Sequence, residues 1–213
     1  MPVTLPTPLV RPLTVLLDAL LPPACLACGA PAPPDDFCVR CAESIEPAPH
    51  GTIACWAYGG AVADAIRTCK FRPDATLADA LARRWVARLA SRACAPLPEV
   101  DGVAFVPAHW RRRLARGFDL PAVLARHLAA RAQVPLVDAL TARSVAPPLS
   151  AGADRALRAV AVAGRYVLRT DVRARRLLLV DDVRTTGATL GEAARVLRAA
   201  GAEVHEAALA VVP

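Results

Sequence analysis

The sequence predicts an α/β chain: a doubly wound, mainly parallel sheet behind a small N-terminal cysteine-rich module. Three observations predict it. Short apolar runs alternate with stretches of helical spacing, the order expected of strands joined by crossover helices. The run Leu177–Val180 is apolar without interruption, as in a strand covered on both faces. Residues 22–49, by contrast, are rich in Pro and Cys, with no periodicity that would bury a core.

The elements follow in order. An apolar helix is expected at Leu13–Leu21, then the Pro/Cys-rich stretch, then a strand over Trp56–Gly60 that ends in a glycine turn. Helical spacing follows at Ala61–Cys69 and at Leu77–Ala93, where Leu77, Leu81, Trp85 and Leu89 form one stripe. Val103–Val106 fits a buried strand between Gly102 and Pro107. Asp119 is placed to cap a helix with Pro121 near its start, running to about Arg131. Val134–Val137 and Tyr166–Arg169 read as strands, and Ser144–Gly152 as a loop. A helix over Leu190–Ala200 with Gly201 after it and a closing strand over Glu203–Val212 complete the pattern. Residues 1–50 are expected to form the helix and cysteine module, and residues 51–213 the α/β domain.

Hydrophobic residues make up 55% of the 213, enough for a sizeable core, which excludes global disorder. The formal net charge of +7 suits anionic partners. It carries little weight, because Lys70 is the only lysine, asparagine is absent, and Arg and Ala recur throughout. That is the signature of compositional bias. The apolar stretch Leu13–Leu21 contains Asp18 and runs into Pro22-Pro23. It is shorter than the ~20 residues of a membrane span and lacks the flanks of a signal peptide. A cytoplasmic protein without membrane insertion is therefore expected.

Four of the seven cysteines form two C-x-x-C pairs, Cys25/Cys28 and Cys38/Cys41, with nine residues between them. Two such knuckles can converge on one tetrahedral Zn²⁺, and four thiolates close its shell. A structural role is expected. Such binding contributes on the order of 10 kcal/mol in small modules, enough to order a segment with little core. Redox-active pairs or a disulfide staple are the alternative readings. Cys55, Cys69, Cys94 and His50 are not needed as ligands.

The most informative segment is Leu177-Leu-Leu-Val-Asp181-Asp182-Val-Arg184-Thr185-Thr186-Gly187-Ala188-Thr189. An apolar strand leads to two adjacent acids at its C-terminal end, where open α/β sheets bind ligands. A loop of small hydroxyl residues around Gly187 then enters a helix. Its backbone N–H groups, its Thr hydroxyls and the helix dipole suit a phosphate. Asp181 and Asp182 would repel that phosphate but can accept from ribose hydroxyls. The pattern describes a sugar phosphate, with the acids expected at a solvent-facing strand end.

That segment resembles the signature of type I phosphoribosyltransferases. With the cysteine knuckles, Tyr58-Gly59, Ile66–Phe71 with Lys70, Val106-Pro107 and Arg116-Gly117-Phe118-Asp119, nearly the whole chain resembles the ComF family of amidophosphoribosyltransferase-like competence proteins. Asp119 stands where that family commonly has Asn. The resemblance implies a type I phosphoribosyltransferase fold, binding of 5-phosphoribosyl-1-diphosphate with Mg²⁺, and a role in natural transformation. The implied catalytic residues are Asp181, Asp182 and Arg116. The ligand-binding set adds Arg184, Thr185, Thr186, Gly187, Ala188, Thr189, Lys70 and Arg113. His109, Arg111 and Arg112 are further candidates for the diphosphate. Ser150, Ala153 and Ala161 stand where the family pattern has Gln, Leu and Asn, in the stretch expected to cover the site. Two other readings stay open. One is an inactive binding module that contacts single-stranded DNA or a competence protein, with Trp110 beside Arg111–Arg113 as its site. The other is a nucleotide-salvage phosphoribosyltransferase.

Overall fold

The structure is a computed structural model that describes residues 23–49, 52–72, 74–91, 96–143 and 163–213. The readings at Leu13–Leu21, His50, Cys94 and Ser144–Gly152, and at Ser150, Ala153 and Ala161, lie outside the described residues.

Five strands form the main sheet: β1 (Ile53–Ala57), β2 (Gly102–Phe105), β3 (Leu136–Val137), β6 (Arg176–Arg184) and β7 (Glu203–Val211). Their order is β1-β7-β6-β2-β3, and every neighbouring pair is parallel. Among the described residues six helices accompany them: α1 (Val39–Ala42), α2 (Gly60–Phe71), α3 (Ala75–Ala90), α4 (Trp110–Arg116), α5 (Leu120–Ala132) and α6 (Ala188–Ala199). Two short strands, β4 (Leu140–Ala142) and β5 (Tyr166–Leu168), pair antiparallel in a separate ribbon. From β2 the chain winds outward to β3, and from β6 it winds the other way to β7. The order reverses between β2 and β6, which is where a doubly wound sheet opens a crevice at its C-terminal edge.

The pleat of β6 divides the core into two layers. Leu178 and Val180 pack with Val103, Phe105, Leu209 and the buried faces of α2, α3 and α5. Leu177 and Leu179 pack with Ala104, Val106, Tyr166 and the buried face of α6. Both faces are covered, hence the uninterrupted apolar run. The strand is longer than that run, because it continues through the acids to Arg184. Gly102 sets the spacing at the other end. A Cβ there would lie 2.7 Å from Val137 Cγ2, so β2 and β3 approach only because it has none.

Helix α3 begins two residues before the expected stripe. Asp74 caps it by accepting from Leu77 N at 3.0 Å. Leu81 and Trp85 are fully buried, and Leu89 nearly so. Helix α4 has no buried residue, so it carries no apolar stripe for the sequence to display. The cysteine module leans on this framework. Leu26 and Phe37 belong to the same core as α2 and α3, and Phe37 meets Trp56 edge-to-face at 6.2 Å. Arg83–Asp35 and Arg84–Asp36 ion pairs, at 2.6 and 2.7 Å, tie the module to α3.

Candidate functional site

The four cysteines of the two knuckles converge. Their sulfur atoms all lie within 4.8 Å of one another, and Cys28 Sγ is 3.7 Å from Cys38 Sγ. Two sulfurs on one tetrahedral Zn²⁺ stand about 3.8 Å apart, given Zn–S bonds of about 2.3 Å. Cys38 N–H points at Cys25 Sγ at 3.3 Å, an orientation that stabilises a thiolate. Burial would raise the Cys25 pKa, but N–H groups of Cys28, Cys38 and Ala27 bring it down to about 6. Burial and hydrogen bonds from the neighbouring thiols push Cys41 upward. Without a cation the cluster therefore resists holding several thiolates at once. A divalent metal removes that conflict. Cys55 and Cys69 are buried elsewhere, and burial raises the Cys69 thiol to about 12. Among the described residues this is the single cluster of three or more side chains able to hold a metal.

The second site is a cavity of about 260 Å³ at the C-terminal edge of the sheet, between β2 and β6. Strand β6 carries Asp181 and Asp182 into it, and both are buried rather than solvent-facing, at 8% and 9% exposure. The ladder to β7 runs past them, and Tyr166 and Asp119 line the same cavity. Asp182 Oδ2 lies 2.8 Å from Lys70 Nζ at the end of α2. Asp181 Oδ1 accepts from Asp182 N at 2.8 Å. Burial, followed by the Asp182 charge, raises the Asp181 pKa well above the usual carboxylate range. Lys70 thus faces the pair from the Asp182 side.

Beyond the acids the chain turns through Thr185–Gly187 into α6. Gly187 has φ +77°, and a Cβ there would meet Arg184 Nε at 3.4 Å. A left-handed residue at this point lets the loop fold back over the helix N-terminus, with Thr186 Oγ1 accepting from Ala188 N at 3.4 Å. Thr185 and Thr189 line the cavity, and the N–H groups at the start of α6 are a ready anion site. Opposite stand Arg112 and Arg116 of α4 and Arg165 just before β5. His109 is buried, and its Nδ1 accepts from Arg111 N at 3.3 Å as the cap of α4. Burial and the arginines around it push its pKa down.

The cavity thus gathers Lys70, Arg116, Asp181, Asp182, Thr185 and Thr189 of the expected set. Arg113, Arg184, Thr186, Gly187 and Ala188 are not among its lining residues. Arg184–Ala188 instead build the turn that positions the two threonines. Arg165, Tyr166 and Asp119 line the site without having been singled out for it. Asp119 carried a signal, its place beside Arg116, but was read as a helix cap. Arg165 and Tyr166 carried none beyond strand propensity. A larger cleft of about 470 Å³ lies between the first knuckle and α2–α3, and it contains none of the phosphate-loop residues.

Comparisons with known proteins match a family model to each part of the chain. The Phosphoribosyl transferase domain model matches residues 119–212, and the Double zinc ribbon domain model matches residues 16–71. The chain is 29% identical to the DNA utilization protein YhgH of Escherichia coli strain K12 over 181 residues, 84% of this chain and 79% of the relative. It is 31% identical to YhgH of Escherichia coli O6:H1 over 185 residues, with the same coverage. Among solved structures it is similar to the allosteric regulatory enzyme of purine biosynthesis (TM-score 0.41, 24% identity). That match covers 62% of this chain and 25% of the enzyme, so the chain spans a quarter of the enzyme's length. It is also similar to orotate phosphoribosyltransferase from Aeropyrum pernix (TM-score 0.38, 19% identity), covering 65% of this chain and 61% of that one.

The thiolate geometry predicts about one Zn²⁺ per chain in protein purified without chelator. Stripping it should lower the melting temperature, since the module has little core besides Leu26 and Phe37. Metal analysis showing almost no zinc, with Cys25 and Cys28 joined as a disulfide, would contradict the assignment.

Proposed function

The chain belongs to the ComF-like family of the YhgH DNA utilization proteins, which joins a double zinc ribbon to a phosphoribosyl transferase domain, and on that premise we propose that its cavity binds 5-phosphoribosyl-1-diphosphate in the service of DNA uptake and use. The observation that carries this reading is the order along one strand and turn. A buried acid pair at the end of β6 is followed at once by a left-handed glycine and a helix N-terminus. Asp181 and Asp182 accept from the ribose hydroxyls. The N–H groups and hydroxyls of Thr185–Thr189 hold the 5-phosphate. Arg112 and Arg116 face the diphosphate across the cavity, beside the Lys70–Asp182 pair. Charge-assisted bonds of this kind are the strong ones.

Mg²⁺ fits this site only as part of the ligand. Among the described residues the acids do not form a cluster of three metal-ligating groups, and Asp182 is already paired with Lys70. Mg²⁺ keeps much of its shell from water and substrate phosphates, and its contribution is to neutralise diphosphate charge. Where an acceptor is present, its bond to ribose C1 forms as the C1–O bond to diphosphate breaks. The cationic rim stabilises the departing charge.

A second reading attaches to α4. Trp110 is 55% exposed, Leu114 lies one turn on and is 76% exposed, and the Arg111 guanidinium sits 5.3 Å over the Trp110 ring. An aromatic face among four arginines fits single-stranded DNA through stacking and phosphate contacts. On this reading Trp110→Ala weakens single-strand binding about tenfold, and the binding falls steeply with salt. Unchanged, salt-insensitive binding contradicts it.

The phosphate cradle is tested through Gly187. Gly187→Val places a β-branched side chain at a left-handed position and against Arg184. Calorimetry with 5-phosphoribosyl-1-diphosphate and Mg²⁺ should show a loss of about 3 kcal/mol or more, the scale of two charge-assisted hydrogen bonds. Thr186→Ala removes one hydroxyl and should cost about 1 kcal/mol. If Gly187→Val binds as tightly as the wild type, with an unchanged melting temperature, the loop is not a phosphate cradle.

A further inference from the structure

Asp119 occupies the residue before α5, yet its side chain makes no capping hydrogen bond to that helix. Its Oδ2 accepts from Ala108 N at 2.8 Å, tying the segment that leaves β2 to the start of α5. Its Oδ1 is buried and has no hydrogen-bond partner among the described residues. The residue is 6% exposed and lines the cavity with Lys70, Arg112, Arg116, Asp181 and Asp182. Buried polar atoms in native proteins are almost always paired, so an orphaned oxygen on a residue that lines a ligand cavity points to a contact that the ligand completes.

The surroundings decide what that contact is. Asp181 and Asp182 face Asp119 from β6, Arg113 and Arg116 from α4, and Tyr166 from β5, while Lys70 of α2 is engaged by Asp182. A further ionised carboxylate would oppose an anionic ligand. A neutral acid would instead offer it an O–H donor. We propose that Asp119 is a positioning residue of this cavity, holding the segment after β2 through Oδ2 and donating through a protonated Oδ1 to an anionic oxygen of the ligand's diphosphate. This rests on the phosphoribosyl reading above and adds to it the protonation state in which the site binds.

The titration of the group agrees with the geometry. Burial raises the Asp119 pKa most, and the Asp182 charge adds to the rise. The Ala108 N–H, Arg113 and Arg116 oppose it, leaving a value of about 6. A bound diphosphate brings further negative charge beside it and raises the value again. The group is then more basic in the bound than in the free state. Its contribution to affinity is present below the free-state value and is lost as pH rises through the bound-state value.

Asn separates the two roles. In Asp119→Asn the amide oxygen keeps the bond to Ala108 N, and the NH₂ stands where the acid's O–H would be. The variant imitates the neutral acid at every pH, whereas Asp119→Ala loses both contacts. The test is calorimetry of the intact zinc-loaded chain with Mg²⁺ and 5-phosphoribosyl-1-diphosphate at pH 6 and pH 8. The ligand's own titration cancels in the ratio of the Asn variant's affinity to that of the wild type. That ratio is expected to rise about tenfold or more from pH 6 to pH 8, as the neutral fraction of a group titrating near 6 falls away. At pH 8 the wild type should take up a proton on binding that the Asn variant does not. Asp119→Ala should bind more weakly than Asp119→Asn at both pH values. Should the Ala variant fail to fold, the Asn ratio decides alone. A ratio that does not change with pH, or an Asn variant weaker than the wild type at pH 8, overturns the role of Asp119 and leaves the phosphoribosyl reading standing. Absence of binding by the wild type at both pH values overturns the two together.

Discussion

Strand β6 is bonded unequally on its two sides, and that inequality makes the site. To β7 its ladder runs from Arg176 to Arg184, whereas to β2 it stops at Phe105 opposite Val180. The last bond on that side is Val106 N–H to Val180 O at 2.9 Å. Pro107 has no N–H to continue it, and the chain swings away into α4. Asp181 and Asp182 are therefore held rigidly by one neighbour and uncovered by the other. The reversal of strand order fixes this crevice between β2 and β6. The acids, the phosphate loop and the arginines of α4 meet there because each lies at or after the C-terminal end of one of those two strands.

Placing carboxylates in that crevice is costly unless they are paired. Lys70 answers Asp182, while burial favours a proton on Asp181. Arg112, Arg116 and Arg165 remain to face a ligand. The resulting field suits a molecule with a diol at one end of its sugar and phosphates around it. Lys70 reaches Asp182 from the last turn of α2, and α2 and α3 pack in one core with Leu26 and Phe37 of the cysteine module. The cysteine module thus shares a core with the helices that deliver the site's only lysine.

Much of this was legible because the sequence displays it in one dimension. The buried strand shows as an unbroken apolar run, the knuckles as C-x-x-C pairs, and the phosphate turn as small residues around Gly187. What escaped depends on neighbours distant in sequence. Nothing in Asp181-Asp182 tells that they will share a cavity with Tyr166 and Asp119, so the local pattern suggests a solvent-facing position. Helix α4 was invisible to periodicity because none of its faces is buried. Strand β4 has only three residues, too few for a pattern. Asp119 sits before a helix with Pro121 near its start, which by local rules is a cap. Its carboxylate turns instead to Ala108, eleven positions upstream, a choice set by the crevice rather than by the helix.

The central claim is that the turn after β6 and the segment after β2 close on one phosphorylated sugar. Amide hydrogen exchange followed by mass spectrometry reads both segments at once, since exchange slows where backbone N–H groups gain a partner. With Mg²⁺ and 5-phosphoribosyl-1-diphosphate added to the wild-type chain, the account predicts slower exchange in residues 184–190 and 106–113 and no change in the cysteine module. Exchange unaltered in both segments, or protection confined to the cleft between the first knuckle and α2–α3, would contradict it.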